Sequence, residues 1–585
     1  MKQKRKEPRS ETAENLGLFN GKDTPDLKCG WEFYQSGLAY NNAINLDDTV
    51  RVNENFYIGK QWEGVNSNGL PTPQFNILKR VVGFVVATIT TDNIKVNASA
   101  LNNVPGEDKL TDPVRVVNEE FDAIVERNDI PALIREYARN AAVDGDGCIY
   151  TYWDDKAETG QTATGAICSE IIDNTNVFFG NPNDKNVQSQ PWIIIASRIF
   201  VRDAKIKAKR NGIESWADIK PDSEGESVDS AKAVNGKCTE LMLMWKDEGT
   251  GEVMAYEFTK DSETRRPYSL KIKLYPVSWL PWDYVRNSYH GQAMLTGLIP
   301  NQIFINKAWA MSMVSMMKSA FPKVIYDRTK IRAWDNRAGG AIGVAGNVNE
   351  VARTIDGTII SPQVSQFLQA AVQETEQSLG ATSVALGDTR PDNTSAIIAL
   401  QRAASTPTEI TKQALYKSIE ELFRIYLEFM GSFYGTRIVD IEPPENVVHA
   451  MQFAGKPVPD KIQAKFDYSI LKKHKILLKL EAGASSYYSE IAAMQTLDNL
   501  LMNKHITAAQ YLERVPDGYV PGRRKLLAEL KQAEAAAMGM MQPQGGGPVM
   551  GGGAAVGANA DIPTGGGYSR LQRAINETGS TEGLV

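Results

Sequence analysis

Apolar residues recur at helical spacing in the first part of the chain. Residues 73–88 predict a helix, because their apolar side chains fall near one helical face: Ile77, Val81, Val82, Val85 and Val86. Residues 114–139 predict a further helical region, interrupted near Ile130-Pro131, since proline cannot continue a helix undisturbed.

Strand patterns follow up to residue 275. Residues 148–153 and 192–196 predict strands. Residues 241–258 predict a hairpin with a glycine-bearing turn at 248–251. The alternation of Leu270, Ile272 and Leu274 predicts another strand over 269–274. Together these patterns indicate an α+β fold with a substantial apolar core.

Two helices separated by short β-like pieces come next. Residues 292–321 predict a long helix that Pro300 kinks or restarts, and residues 321–360 predict short β segments. Ser361-Pro362 is a favourable helix start, because serine caps and proline suits the first helical position. The apolar stripe of this second helix comprises Val364, Phe367, Leu368, Ala371 and Val372.

The remainder alternates in character again. Residues 394–430 predict a long helical region that Pro407 interrupts, and residues 436–480 return to a β pattern, with Phe466, Tyr468 and Ile470 alternating. Residues 485–535 predict helices, one of them capped by Thr507. The glycine-rich end of the chain cannot bury a core and predicts a flexible tail.

Composition and charge exclude several classes of protein. The 585 residues are 42% hydrophobic and 23% charged, which is typical of a globular chain rather than a disordered or fibrous one. A formal net charge of −6 disfavours a tight, sequence-reading DNA-binding protein. The basic N-terminus has no apolar core behind it, so we expect no signal peptide. The longest strongly apolar stretch, 81–89, is too short to span a membrane.

No segment of the sequence indicates catalysis. Phosphate-binding loops, nucleophile elbows and zinc-protease motifs are all lacking. The four cysteines form no C-x-x-C pair, and the four histidines are far apart. Asp144-Gly145-Asp146-Gly147 resembles a fragment of a calcium loop without the remaining ligands, and we interpret it as a turn. We therefore predict no catalytic residue, no metal site, no cofactor and no enzyme activity.

Several segments resemble, in order and spacing, blocks of tailed-bacteriophage portal proteins, the head-to-tail connectors of phage capsids. The first is Tyr57-Ile58-Gly59-Lys60-Gln61-Trp62, which resembles a Y-x-G-x-Q-W signature near the start of many such chains. Further similar blocks lie at 76–96, at 275–292 and at 466–483. The resemblance covers about residues 30–535 and excludes both termini.

The resemblance implies a multi-domain portal-type subunit with a mixed α/β wing, a two-helix stem, a small α/β clip and a helical crown. In chain order the implied parts are a flexible N-terminal arm (1–27), the first part of the wing (28–290), stem helix 1 (291–320), the clip (321–360), stem helix 2 (361–382), a tunnel loop (383–394), a kinked long helix with the rest of the wing (395–483), the crown (484–540) and a disordered glycine-rich tail (541–585).

The resemblance also implies a function. Twelve copies would form a ring at a unique capsid vertex of the virion, after assembly in the host cytoplasm. Double-stranded DNA would pass through the ring non-specifically during packaging and ejection. The implied partners are the large terminase subunit, the major capsid protein, the scaffolding protein and head–tail adaptor proteins, with no membrane and no cofactor. The packaging ATPase would be a separate protein, which agrees with the missing phosphate-binding loop.

The tunnel loop is the candidate DNA contact. A conduit must not hold its cargo, and each cation that neutralises a phosphate adds affinity. We therefore expect a loose contact by polar residues near the channel: Asp388, Thr389, Arg390, Asp392 and Asn393. The long helix that follows would bend at Pro407.

Two further surfaces are candidates for partner contacts. Basic side chains of the clip would dock partner proteins: Lys323, Arg328, Lys330, Arg332 and Arg337. Apolar side chains of the two stem helices would form the ring interface: Met313, Met316, Val364, Phe367 and Val372. The alternative for both apolar stripes is core within one chain.

Three other interpretations remain open at this stage. The chain could be another head–tail connector or minor virion structural protein, although such chains are usually shorter. It could be an enzyme that acts on nucleic acid through carboxylates scattered in the sequence, or a scaffold protein of the host cell.

Overall fold

The computed structural model describes most of the chain between residues 24 and 515. The described residues are 19, 24–67, 69–90, 94–100, 113–159, 164–222, 236–320, 323–331, 342–344, 347, 350–355, 362–377, 408–441, 451, 462–472, 476–482, 487–515, 520, 523, 526–527 and 529–530. Two compact units divide the chain, at Met1–Ala493 and Met494–Val585.

The first unit begins with helices. They are α1 (Leu27–Ala43), α2 (Leu46–Ile58), α3 (Ile77–Thr90), α4 (Pro113–Arg127) and α5 (Ile130–Asp144), with strand β1 (Ile94–Ala100) between α3 and α4. The predicted helix near 73–88 is confirmed as α3. The predicted interruption is also confirmed, because Pro131 lies in the first turn of α5, where its missing N–H costs nothing.

A five-stranded antiparallel sheet has the spatial order β4-β5-β6-β7-β8. Its strands are β4 (Val177–Phe179), β5 (Trp192–Phe200), β6 (Lys237–Lys246), β7 (Val253–Phe258) and β8 (Glu263–Ser269), and helix α6 (Val201–Arg210) follows β5 directly. The predicted hairpin is confirmed as β6 and β7, with Leu241 opposite Phe258.

The strand predicted at 269–274 is wrong, because β8 ends at Ser269. Lys271 has a φ of 57°, which an extended strand cannot accommodate. Ile272 is nevertheless fully buried. The alternation of Leu270, Ile272 and Leu274 therefore reflects packing of an irregular segment on the core.

A three-stranded antiparallel sheet has the order β3-β2-β9, from β2 (Asp146–Asp154), β3 (Ala166–Ile171) and β9 (Val277–Pro281). Helix α5 passes directly into β2 through Gly145, whose φ of 104° makes the abrupt turn possible. Cys148 and Ile149 on β2 are completely buried. The predicted strand at 148–153 is thus confirmed.

Three further pairs of strands are antiparallel. They are β1 with β14 (Ile476–Ala482), β10 (Lys323–Tyr326) with β11 (Ala352–Ile355), and β12 (Thr436–Ile441) with β13 (Ile462–Asp467). The alternation predicted through Tyr468 and Ile470 is wrong beyond Asp467, because residues 468–472 form a 3₁₀ helix that buries Tyr468 and Leu471.

The main core lies where α3, α4, α5 and α9 (Glu409–Phe433) meet the three-stranded sheet. Fully buried aromatic residues from distant segments fill it: Phe121, Tyr137, Tyr275, Tyr289, Tyr426 and Tyr468. The two long helices α7 (Met294–Ala320) and α8 (Pro362–Gln377) complete the first unit. The α+β prediction is confirmed, and the division into portal domains stays a prediction.

The second unit contains α11 (Ala508–Arg514) and the end of α10 (Tyr487–Met502). Thr507 and Gln510 form a reciprocal capping box at α11, as the sequence predicts. Tyr511 donates a 2.6 Å hydrogen bond to Asp498. Among the described residues of the whole chain, no helix has both the length and the apolar character that a membrane span requires.

Candidate functional site

The candidate site is built on α7 and α8, which we call the stalk. All of the buried residues of α7 lie in its first half, between Met294 and Ala308, and from Trp309 onward its side chains are half-buried or exposed. Helix α8 buries just Leu368 and Thr375 among its described side chains. The helix continues through Pro300 without a restart. Among the described residues, the second half of α7 and most of α8 are thus half-buried or exposed.

The two stalk helices hold together through a small apolar cluster. Ile305, Ala308 and Leu368 form its buried centre, and Ala371 and Val372 pack around it. The amide of Asn301 donates a 3.3 Å hydrogen bond to the Thr375 hydroxyl. Asn301 lies seven residues before Ala308 on α7, and Thr375 lies seven residues after Leu368 on α8. These contacts fix the two helices antiparallel and side by side.

A chain of buried amides ties the stalk to the N-terminal helices. The Asn306 amide donates to Gln61 Oε1 at 2.7 Å, and Gln302 donates to Asn306 Oδ1 at 2.9 Å. Gln302 also donates to the Phe75 carbonyl at 2.6 Å and accepts from the Ile77 backbone N–H at 3.3 Å. Almost every donor and acceptor of the network is therefore satisfied, which is the condition for a buried polar group to stabilise a fold.

The Y-x-G-x-Q-W segment owes its residue types to this anchor. Gln61 accepts the hydrogen bond from the stalk, and Trp62 Nε1 donates to the Pro73 carbonyl at 2.8 Å. Gly59 ends α2 with a φ of 96°, which favours glycine. Tyr57 places its ring under the Arg139 guanidinium, 4.8 Å away. The residues of this signature thus help to position the first half of α7, through the hydrogen bond between Gln61 and Asn306.

A second anchor precedes α7. His290 Nδ1 lies 2.7 Å from Asp146 Oδ2, and the Gly291 backbone N–H donates to Asp146 Oδ1 at 2.7 Å. Both side chains are buried, and the Tyr289 ring centroid lies 4.0 Å from that of His290. A Cβ atom at Gly145 would lie 2.7 Å from the Gly291 carbonyl oxygen, and one at Gly291 would lie 2.9 Å from the Gly145 carbonyl oxygen, so both positions need glycine.

This geometry explains the Asp144–Gly147 segment. The sequence predicts a turn rather than a calcium loop, and the turn is confirmed at Gly145. The sequence gives no indication that Asp146 would receive His290 from 144 residues away. Among the described residues, no group of three or more metal-ligating side chains is close enough to hold an ion.

One carboxyl near this anchor has an unusual acidity. Burial, followed by the nearby Glu54 carboxylate, raises the pKa of Asp144 to about 7, although Arg139 opposes the shift. Arg139 lies between the two acids, 2.5 Å from Glu54 and 3.7 Å from Asp144. Burial likewise raises the pKa of Cys148 and Cys238, so neither is an activated thiol.

The stalk ends in a two-stranded tip. Val324 pairs with Thr354 and Ile325 with Arg353, and Ile331 and Val351 are buried beneath. Asp327 accepts hydrogen bonds from the Thr329 hydroxyl at 2.5 Å and from the Thr329 backbone N–H at 2.9 Å. These two bonds lower the pKa of the Asp327 carboxyl.

The sequence predicts β pieces at 323–326, 341–344 and 358–360, and the first is confirmed as β10. The second is wrong at residues 342–344, which form no strand, and the third lies outside the described residues. The sequence did not predict β11.

The predicted docking cations are placed in part. Lys323 begins β10, Arg328 is exposed in the turn after it, and Lys330 lies 3.9 Å from Asp327. Arg332 and Arg337 lie outside the described residues. So do the tunnel-loop residues Asp388, Thr389, Arg390, Asp392 and Asn393, and so does the helix kink at Pro407.

The stalk carries large apolar side chains in contact with solvent. The exposed fractions are 70% for Phe367, 67% for Met311, 56% for Met316 and 37% for Val364. Met313 is half-buried, and Val372 packs against the apolar cluster between α7 and α8. Of the five predicted interface residues, Val372 thus serves at least in part as core within the chain. Met311, which belongs to the same methionine-rich run, is more exposed than Met313.

Residues 250–443 match the family model of phage P22-like portal proteins. The matched segment includes the stalk, the tip and α9. No curated protein matches the chain. The match confirms the resemblance predicted from the sequence, and it supports a phage portal protein.

Proposed function

We propose that the chain is one subunit of a phage portal ring, which admits double-stranded DNA to the capsid and releases it again. The observation that carries this proposal is the match of residues 250–443 to P22-like portal proteins, a range that contains the whole stalk and its tip. The proposed location is the portal vertex of the virion, after assembly in the host cytoplasm.

The exposed apolar surface of the stalk supports assembly into a ring. Soluble proteins rarely leave several large apolar side chains together in water unless another molecule covers them. Met311 on α7 and Phe367 on α8 are both mostly exposed, and Phe367 directly precedes Leu368, which packs on α7. A second copy of the chain would cover them through a head-to-tail contact, which closes into a ring when the rotation divides a full turn. Twelve copies are the proposed number.

Charge supports transport rather than retention of DNA. The chain carries 70 acidic and 64 Lys and Arg residues, so a channel lined by it need not be strongly basic. We propose that Asp388, Thr389, Arg390, Asp392 and Asn393 touch the duplex loosely. The tip, with Arg328 and Lys330 exposed in its first turn, would dock the terminase and the adaptor proteins. The subunit would perform no bond-making step.

The oligomeric state tests this proposal. Mass photometry and negative-stain imaging of the purified full chain should show rings of about a dozen subunits with a central hole. The variant Phe367→Glu should give folded monomers, because a carboxylate at that position would have to be desolvated in the interface. Tyr284→Glu is the matched control, since Tyr284 is 59% exposed and is not part of the stalk helices. Rings that persist in Phe367→Glu would refute this interface, and a monomeric wild-type chain would refute the ring.

A further inference from the structure

Helix α6 is the most cationic element that the structure describes in full. Its ten residues include five cations and one acid. Ala204 and Ala208 are buried against the five-stranded sheet, so the opposite face of the helix meets water. Arg202, Lys209 and Arg210 are exposed on that face around Ile206. This helix is therefore strongly positive, although the chain as a whole has a net charge of −6.

The neighbouring loops extend the same surface. Lys205 Nζ on α6 donates to the Ala217 carbonyl at 3.2 Å, and Lys209 Nζ lies 5.6 Å from the Trp216 ring centroid. The loop then reaches a concave site of about 250 Å³, whose lining includes the side chains of Lys220 and Lys260. We call Arg202, Lys209, Arg210, Lys220 and Lys260 the cationic ridge.

Among the residues that the structure describes, the ridge cations form no ion pair. Lys207, in contrast, reaches the buried Glu240 and Glu257 and belongs to the interior. Asp222 at the concave site is engaged by Arg198, and Asp261 accepts the Lys220 backbone N–H at 3.2 Å. Within the described part of the chain, none of the five ridge cations has a carboxylate at ion-pair distance. Asp203, Glu214 and Asp218 are exposed nearby and reduce the local potential without abolishing it.

We propose that the cationic ridge is a second DNA-binding surface, which contacts the phosphate backbone of duplex DNA without reading its sequence. Exposed lysine and arginine side chains neutralise the phosphates of a DNA backbone. The ridge presents such side chains on α6 and beside the concave site. The ridge belongs to α6 and the loops beside it, elements separate from the stalk and from the tunnel-loop segment. The proposed contact is distinct from that of the tunnel-loop segment, which belongs to another part of the sequence. The other occupant of the same chemistry, an acidic protein surface, is an outcome of the test below.

The experiment uses the full chain and a covalently closed, relaxed circular DNA, because a closed circle cannot thread through a closed ring. Binding is measured by filter retention over a range of salt concentrations. The test variant is Arg202→Gln, Lys209→Gln, Arg210→Gln. The control variant, Lys60→Gln, Lys156→Gln, Lys273→Gln, makes the same charge change at exposed positions away from the ridge.

Removal of three phosphate contacts should lower the slope of log affinity against log salt by about 2 to 3, since each contributes roughly 0.9. The control variant should retain the wild-type slope. Equal slopes for the two variants, or no binding of circular DNA by the wild-type chain, would overturn the proposal and leave an acidic protein as the occupant. Ring formation, measured by mass photometry on the same samples, reports separately on the proposed portal function.

Discussion

At the scale of single residues, the structure shows which polar groups are held away from water and why. Asp146 is buried because His290 and the Gly291 backbone supply its hydrogen bonds. Asp144 is 12% exposed, and burial, followed by the nearby Glu54 carboxylate, raises its pKa to about 7.

We expect Asp144 to make the fold less stable as the pH rises from about 4 to about 7. The folded state holds this proton more tightly than the unfolded chain, whose pKa is near 3.8, so stability is greatest at low pH and declines through the folded pKa. In Asp144→Asn this decline should shrink by an amount on the order of a few kcal/mol. Urea unfolding of both proteins at pH 5 and pH 8 measures the difference.

Asp155→Asn serves as the control for that measurement, because Asp155 is exposed in the neighbouring turn. Its pH dependence should equal that of the wild-type chain. If Asp144→Asn also kept the wild-type pH dependence, the assigned proton would not reside on Asp144.

At the scale of elements, two sets of contacts hold the first half of helix α7 in the stalk. The amide chain from Gln61 through Asn306 to Gln302 holds one face of α7, and the cluster around Leu368 holds another. Beyond Trp309, which packs against that cluster, none of the described residues of α7 is buried. The exposed second half follows from this, since a helix that packs along half of its length leaves the other half for a partner or for solvent.

We expect Asn306→Ala to destabilise the protein by about 1 to 3 kcal/mol, because it leaves the buried Gln61 oxygen without its donor. The double variant Gln61→Met, Asn306→Leu should recover part of that loss, since both polar partners are then removed together. Urea midpoints of the three proteins test this.

Asn301→Ala is the matched control on the same helix. Its one side-chain bond, to Thr375, is 3.3 Å long and lies at the partly exposed edge. The cost should stay below that of Asn306→Ala. A larger cost at Asn301 would mean that the contact between α7 and α8, rather than the amide chain, fixes the stalk.

At the scale of the whole molecule, the apolar side chains that the stalk exposes are the ones that the proposed ring would bury. A subunit that buried Phe367 and Met311 in its own core would have no reason to assemble. Assembly in turn decides where the tunnel-loop segment would meet DNA. The prediction for that segment therefore belongs to the ring and not to the isolated chain.

We expect removal of residues 387–393 to leave ring formation intact while it changes packaging or retention of DNA. The expected result is faster loss of packaged DNA, because the loose contact by Asp388, Arg390 and Asp392 would be missing. An in vitro packaging assay followed by nuclease protection measures both steps. Unchanged packaging and retention would remove these residues from the channel.

The sequence by itself determined the elements that depend on local chemistry. Apolar spacing identified α3, a helix-favouring serine–proline step located the start of α8, and the capping box marked α11. The ordered motifs also resembled those of phage portal proteins, a resemblance that the match at 250–443 confirms. The apolar alternation over residues 269–274 predicted a strand that does not form. The positive φ of Lys271 is incompatible with an extended strand there.

Tertiary structure decided everything that depends on residues distant in sequence. Gln61 meets Asn306 across 245 positions, and Asp146 meets His290 across 144. It also divided one apolar stripe between Leu368, which is core, and Phe367, which is exposed. The physical reason is that burial and pairing are properties of two surfaces brought together, while a sequence pattern describes one surface at a time.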